Sequence, residues 1–444
     1  MDDSSTKIES LRNQQEANEE PNAKIVTTKD PTVDTEPGTD KDAILQSPAP
    51  DGGLRAWLVV CGASFILFVG LGYANSFGVI LEYYMSHQLS DLSPDDISWI
   101  GSIAAFLQFF AGAIGGPLFD RYGAWIIRPA AVGFVFILMM TSLCTEYWQF
   151  MLVQGVILGI FLGILTFPAM AAVLQYFDKK KGIALGLSVS GSSIGGVVIP
   201  IVISRLLNRT TLGFGWTFRI LGFISLPFLV FSCIAIKSRL PPKKTNFFLP
   251  SAFKERRYTI LIIAAFFIFI GMWAPLFYLP AYAVSQGMSP TMAGYLLAII
   301  NGASTFGRVI PGMLADKFGR LNIFCGGSLS TAVVLFCWTQ ATSSTGLVVY
   351  SVAAGFTTGS IISGLTVAFS DCTIDTQSVG TFIGMGMGVS SISVLIGPPI
   401  NGALLDSAGG YKNLSYFSAS MCLLGGILAF LCKAATPKGL WGRV

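Results

Sequence analysis

Apolar positions in this chain fall neither on every second residue nor on one face of a 3.6-residue period. From Trp57 onward they run almost unbroken for about twenty residues at a time. Wound as α-helix at about 1.5 Å per residue, such runs span the roughly 30 Å of a bilayer's hydrocarbon. The pattern predicts helix 1 over 57–82, helix 2 over 97–116, helix 3 over 125–143, helix 4 over 148–174, helix 5 over 182–204 and helix 6 over 216–236. It then predicts helix 7 over 259–284, helix 8 over 290–314, helix 9 over 321–340, helix 10 over 346–370, helix 11 over 378–403 and helix 12 over 411–433. The longest polar break, Lys237–Arg257 with Pro241, Pro242 and Pro250, divides six runs from six.

Residues 1–50 hold no such run and are rich in Asp, Glu, Lys, Thr and Pro. They cannot bury enough apolar surface to fold. No basic stretch leads into a short apolar one, so they do not read as a cleaved leader. The expectation is an all-α polytopic membrane protein of twelve transmembrane helices in two pseudo-symmetric bundles. Its parts are a disordered tail (1–50), a six-helix half (51–237), a linker (238–257), a second six-helix half (258–435) and a short tail (436–444).

Composition sharpens this picture. Charged residues make up 12% of the chain and hydrophobic ones 52%, against about 25% charged in a soluble domain. Eleven of the 24 acidic residues lie in the first 50 positions. The net charge of +4 therefore joins an acidic tail to a basic body and does not mark a nucleic-acid partner. The eight cysteines have no CxxC or metal-ligand spacing, and His87 is the one histidine, so neither a disulfide framework nor a metal site is expected. No Gly-x-x-x-x-Gly-Lys-Ser/Thr motif supports an ATP-driven pump. No nucleophile–base pair or His/Asp/Glu cluster supports an enzyme, and no cofactor is implied.

Positive charge gives an orientation. Arg121 and Arg128, Lys179–Lys181, the lysines and arginines of 237–257, and Lys317 with Arg320 follow even-numbered helices. The odd-numbered connections hold Arg205, Arg209 and Lys412. Both termini and the linker are then expected in the cytoplasm. The sequons at Asn208 and Asn413 fall in connections this topology places outside, where they are candidate glycosylation sites.

One stretch occurs twice. Gly116-Pro117-Leu118-Phe119-Asp120-Arg121-Tyr122-Gly123 has a partner in Gly312-Met313-Leu314-Ala315-Asp316-Lys317-Phe318-Gly319-Arg320. The two aspartates are 196 positions apart, half the 394-residue apolar body, which reads as a duplicated half. An aspartate at one helix end can compensate the positive N-terminus of a neighbouring helix. Its basic neighbours Arg121, Lys317 and Arg320 can pair with acids. Repeated on the cytoplasmic side, such contacts would form and break as a gate.

These residues resemble the signature loop of the major facilitator superfamily, and the resemblance covers all twelve runs. It implies that Asp120 contacts the start of helix 11 near Ser378, that Asp316 contacts the start of helix 5 near Gly182, and that Arg320 pairs with Asp371. In the first copy Ala124 stands where Arg320 does, so that half lacks its ion pair or draws it from Arg128. A narrower resemblance, to the monocarboxylate porter family, begins at Asp51-Gly52-Gly53 with Trp57 following. Gly307-Arg308 supports it, and Gly215-Trp216-Thr217-Phe218-Arg219 is typical of fungal members. Ser304 and Phe77 (or Ser76) replace two charged transport residues of the animal members. This points to the fungal branch, whose members carry varied substrates including riboflavin-like and secondary metabolites.

Arg308 stands inside an apolar run, and an intramembrane charge is expensive. It either lines a cavity and attracts an anionic group, for which its planar fork suits carboxylate, or snorkels to the interface, or pairs with Asp371. Tyr73, Asn75, Gln108, Trp273, Tyr278, Tyr282 and Asn301 are further candidates to line the cavity. Glycine-rich helices 5 and 11 would let the halves approach closely.

The reading is a secondary transporter of a small organic solute, monocarboxylate-like or riboflavin-like, working by alternating access. The alternatives are efflux of a fungal secondary metabolite and a non-transporting sensor on the same fold. The expected setting is the plasma membrane, or else the vacuolar one, with the protein working as a monomer whose partners are the solute and lipid.

Overall fold

The computed structural model describes residues 49–241, 249–373, 375–405 and 407–435. The tail expected over 1–50, apart from its last two positions, lies outside the described residues. So do 242–248 of the linker and the closing tail 436–444. Among the described residues the chain is helical, with no strand. The runs of the first bundle are α1 (Leu54–Ser86), α2 (Pro94–Phe110 continued by Gly112–Tyr122), α3 (Ile127–Thr141), α4 (Tyr147–Leu174), α5 (Lys181–Arg209) and α6 (Gly213–Ala235). Those of the second are α7 (Arg256–Ser285), α8 (Pro290–Phe318), α9 (Arg320–Phe336), α10 (Ser344–Ser370), α11 (Val379–Leu405) and α12 (Gly410–Ala434).

Among the described residues, ten stretches are long and apolar enough to cross a membrane. The stretch Asp96–Thr141 is 46 residues long, about 69 Å as helix and twice the hydrocarbon thickness. It turns back at Gly123 (φ 68°) and so holds both α2 and α3. α8 is 29 residues long but carries Asn301, Ser304, Arg308, Asp316 and Lys317, which dilute its apolar character. Twelve helical runs and ten apolar stretches thus describe one body.

The repeated motif lies differently from a charged turn. α2 continues to Tyr122 and α8 to Phe318, beyond the ends expected at 116 and 314. Gly123 and Gly319 (φ 102°) end the helices in conformations that side-chain-bearing residues rarely adopt. Asp120 and Asp316 therefore project from a last helical turn, which fixes their direction. This end of the bundle, where Leu54 begins α1 and Ala434 ends α12, is called the motif end below.

The sequons also lie differently from the loops expected for them. Asn208 is exposed within α5, and Asn413 is exposed in the first turn of α12. The Ser415 hydroxyl of the second sequon is buried and donates to the Leu335 carbonyl at 2.7 Å.

Inter-bundle contacts and a candidate translocation pathway

Two antiparallel seams join the bundles. Along α5 and α8, Gly182 faces Gly312, Gly186 faces the Arg308 backbone and Gly196 faces Asn301. An added Cβ at Gly182 or Gly186 would overlap the opposing carbonyl. Along α2 and α11, Gly116 meets Gly380 and Gly112 meets Gly384 in the same way. Small residues spaced three to four apart let the two backbones touch.

Each seam ends in a carboxylate set against a helix N-terminus. The Gly182 amide donates to Asp316 Oδ1 at 2.8 Å and the Ile183 amide to Oδ2 at 2.9 Å. At the other seam the Gly380 amide donates to Asp120 Oδ1 at 3.2 Å. The Thr381 amide and hydroxyl both donate to Asp120 Oδ2, at 2.6 and 2.7 Å. First-turn amides have no intrahelical acceptor, and a carboxylate satisfies them with favourable charge.

An ionic cluster flanks the α5–α8 seam. Arg320 Nη1 lies 3.0 Å from both oxygens of Asp371. Lys181 Nζ lies 3.3 Å from Asp371 Oδ1 and also 3.3 Å from Asp178 Oδ1. Arg320 Nη2 donates to the Asp178 carbonyl, so one arginine of the second bundle ties two connections together. In the first half, Arg128 is exposed and makes no ion pair among the described residues, so it does not stand in for Arg320. The Arg121 guanidinium lies over the Tyr122 ring, 5.6 Å from its centroid, and Lys317 is exposed.

Arg308 is 6% exposed. Its Nη1 donates to the Val189 carbonyl at 2.6 Å and to the Ser192 hydroxyl, both on α5, and its Nε has no partner. It neither snorkels nor pairs with Asp371, which is engaged by Arg320 and Lys181. Among the described residues no carboxylate pairs with it. A buried cation held by one carbonyl and one hydroxyl is poorly compensated.

The other candidates divide. Asn75 and Asn301 both lie against Gly196, where an added Cβ would sit 2.9 Å from one amide and 2.8 Å from the other. Trp273 reaches across the bundles to Phe109, with ring centroids 6.4 Å apart. Tyr73 and Gln108 line a cavity of about 50 Å³ among α1, α2 and α4, room for ordered water rather than an organic solute. Tyr278 and Tyr282 turn elsewhere, into the second bundle. The Tyr278 hydroxyl donates to the Pro398 carbonyl at 2.8 Å, and Tyr282 packs on Trp338 and Tyr411. Arg219 donates to the Ser142 hydroxyl at 3.2 Å and lies over Trp216.

The sequence reading missed Gln154. Its amide donates to the Tyr73 hydroxyl at 2.6 Å and accepts from the Tyr84 hydroxyl at 2.7 Å, all three buried. It sits in a π-helical stretch, Met151–Ile157, a device common at functional positions. The available signal was a side-chain amide inside an otherwise apolar run. Lys181 and Ser192 were also missed, because their partners Asp371 and Arg308 come from the other bundle, as was Asp178, whose carbonyl accepts from Arg320.

A helical body of two matched halves, joined by glycine seams and carboxylate–helix contacts, is the architecture of a secondary transporter. The family model for the Major Facilitator Superfamily matches residues 60–371 and 261–443, and the chain belongs to that superfamily. It is 47% identical over 392 residues to the aspyridones efflux protein apdF of Emericella nidulans, covering 88% of this chain and 80% of that protein. It is 39% identical over 399 residues to the agnestins efflux protein AgnL12 of Paecilomyces divaricatus, covering 88% and 90%. Among solved structures, the transporter FucP in its outward conformation superposes with a TM-score of 0.67 at 16% identity, covering 84% of this chain and 98% of that one.

Proposed function

We propose that this transporter exports a small secondary metabolite bearing a carboxylate or similarly acidic group. The observation that carries the reading is Arg308, a buried guanidinium on the inter-bundle seam with an unpartnered Nε and no carboxylate counter-ion among the described residues. When the bundles part, Val189 and Ser192 withdraw with α5, and the guanidinium is left for an anionic ligand. Asn75 and Asn301 lie farther along the same seam, against Gly196 of α5. The direction follows the efflux proteins to which the chain is similar. The Asp-Gly-Gly entry and the Gly-Arg pair of α8 favour the monocarboxylate porter family, and the Gly215–Arg219 run favours its fungal branch.

In this reading the motif end faces the cytoplasm of a plasma-membrane protein. Asp120, Arg121, Asp316, Lys317, Arg320 and Asp371 form its gate, and the halves 51–237 and 258–435 rock against each other as a monomer. The state described is the one with the gate shut. No Asp, Glu or His lies in the middle of a described helix, so coupling to protons would enter on the solute's own acid. The test is flux from proteoliposomes loaded with a panel of acidic metabolites and their neutral esters. Saturable flux of the acids that is lost in Arg308→Ala supports the reading. Equal flux of acids and esters overturns the acidic-group assignment, and no flux of any panel member favours a sensor.

A further inference from the structure

The Asp-Gly-Gly entry to α1 has no role in the gate just described, yet it grips the gate's foundation. Asp51 Oδ1 accepts hydrogen bonds from three consecutive amides, Asp178 at 2.6 Å, Lys179 at 2.8 Å and Lys180 at 3.2 Å. The Asp51 amide donates to the Tyr176 carbonyl at 3.1 Å. Asp51 holds φ at 52°, a conformation rare for a residue with a side chain. Six residues on, the Trp57 ring packs on Phe177 with centroids 5.1 Å apart. Residues 51–57 thus clasp residues 176–180.

Beyond Lys181, the amides of Gly182 and Ile183 are those that Asp316 holds. Two carboxylates therefore grip the same short segment, one on either side of Lys181. Asp51 belongs to the same bundle as α5 and can keep its bonds throughout the cycle. Asp316 belongs to the other bundle and must let go.

We propose that Asp51 is a positioning residue of the inter-bundle contact. By fixing the turn 178–180 it aims the Gly182 and Ile183 amides at Asp316 and the Lys181 ammonium at Asp371. The proposal rests on the reading of the motif end as the end that opens. Asp51→Ala removes the acceptor. Asp51→Glu keeps the charge but sets it one methylene too far. Asp51→Asn keeps an oxygen at the Oδ1 position.

The test is hydrogen–deuterium exchange on the full chain in nanodiscs, with spin labels at Tyr122 and Phe318, both exposed, reporting the separation of α2 and α8. Asp51→Ala and Asp51→Glu are each expected to speed exchange at 182–183 at least tenfold, beyond the loss at 178–180, and to widen the label distance. Asp51→Asn should restore most of the protection. Asp316→Asn should expose 182–183 while leaving 178–180 protected, and adding Asp51→Ala to it should widen the distance no further.

Loss of protection confined to 178–180 in Asp51→Ala would overturn the proposal, leaving Asp51 a local cap. Additive widening in the double variant would overturn it too. If Asp51→Ala does not fold, Asp51→Glu decides in the same way. An unchanged label distance in Asp316→Asn would instead sink the reading of an opening motif end, while exchange at 182–183 still decides the case of Asp51.

Discussion

Replacing Asp316 by Asn is a small change in shape with a calculable effect on the bundle contact. In the wild type, two carboxylate oxygens accept from two amides at 2.8 and 2.9 Å, and Arg320 Nε stands 3.7 Å from Oδ1. Asn keeps one acceptor oxygen but turns an NH₂ group toward the other amide, so one bond is lost outright. The remaining bond falls from charge-assisted to neutral. Bonds to charged groups contribute about 1.5–3 kcal/mol and neutral ones about 1 kcal/mol, so the joined state should lose about 2–5 kcal/mol. At tenfold per 1.4 kcal/mol, that moves the joined-to-parted ratio by roughly 30- to 4000-fold.

Nothing inside either bundle core is touched, so the melting temperature should fall by no more than a few degrees. Pulsed electron–electron distance measurements between labels at Tyr122 and Phe318, both exposed, would read the ratio directly. A distance distribution identical to the wild type, or wild-type flux at normal expression, would refute the assignment of these bonds as what holds the motif end together.

Arg308→Lys should weaken solute binding yet retain some transport, because the charge stays and the planar fork goes. Arg308→Ala should abolish transport in a folded protein. Adding Asp371→Ala should not rescue it, since the two residues are not paired, and a thermal-shift titration of the three variants with acidic solutes checks all of this. Gln154→Leu strands the buried hydroxyls of Tyr73 and Tyr84, and at about 1–3 kcal/mol per unmet group it should lower the melting temperature measurably. An unshifted melting curve would remove Gln154 from the core network. Gly186→Val places methyl groups on the Arg308 carbonyl, so the label pair should report parted bundles even without solute; a wild-type distance would show that the seam yields.

The twelve runs were legible because hydrocarbon imposes a minimum length on any helix that crosses it, and length survives in sequence. Helix ends were less so. The motif aspartates looked like turn residues, since Gly123 and Gly319 stop their helices one to two turns later than the fall in apolarity suggests. What a side chain faces was hardest to read. Tyr278 and Tyr282 carry the same aromatic signal as Trp273, but only Trp273 points to the other bundle, and nothing local separates them. Arg308 was conspicuous as a lone charge, but its partners, a backbone carbonyl and a serine of α5, leave no trace in the pattern. Helix 8 shows the converse. Of the polar residues that make it the weakest membrane span by composition, Asn301, Arg308 and Asp316 mark the face it turns to α5.

The bareness of the two seams bears on speed. Where Gly182 meets Gly312 and Gly112 meets Gly384, backbone lies on backbone and no side chain is threaded between ridges. Separating such surfaces requires no rotamer to flip and no knob to leave a hole. The activation barrier is then set by rupture of the polar contacts that cross the seams, the carboxylate–amide bonds at the ends together with the Arg308 bonds to α5 and the Lys181–Asp371 pair, much as a zip fastener is held by its catches. Lesions at Asp120 or Asp316 should therefore accelerate parting by nearly the full factor by which they shift the populations, leaving the rate of rejoining little changed.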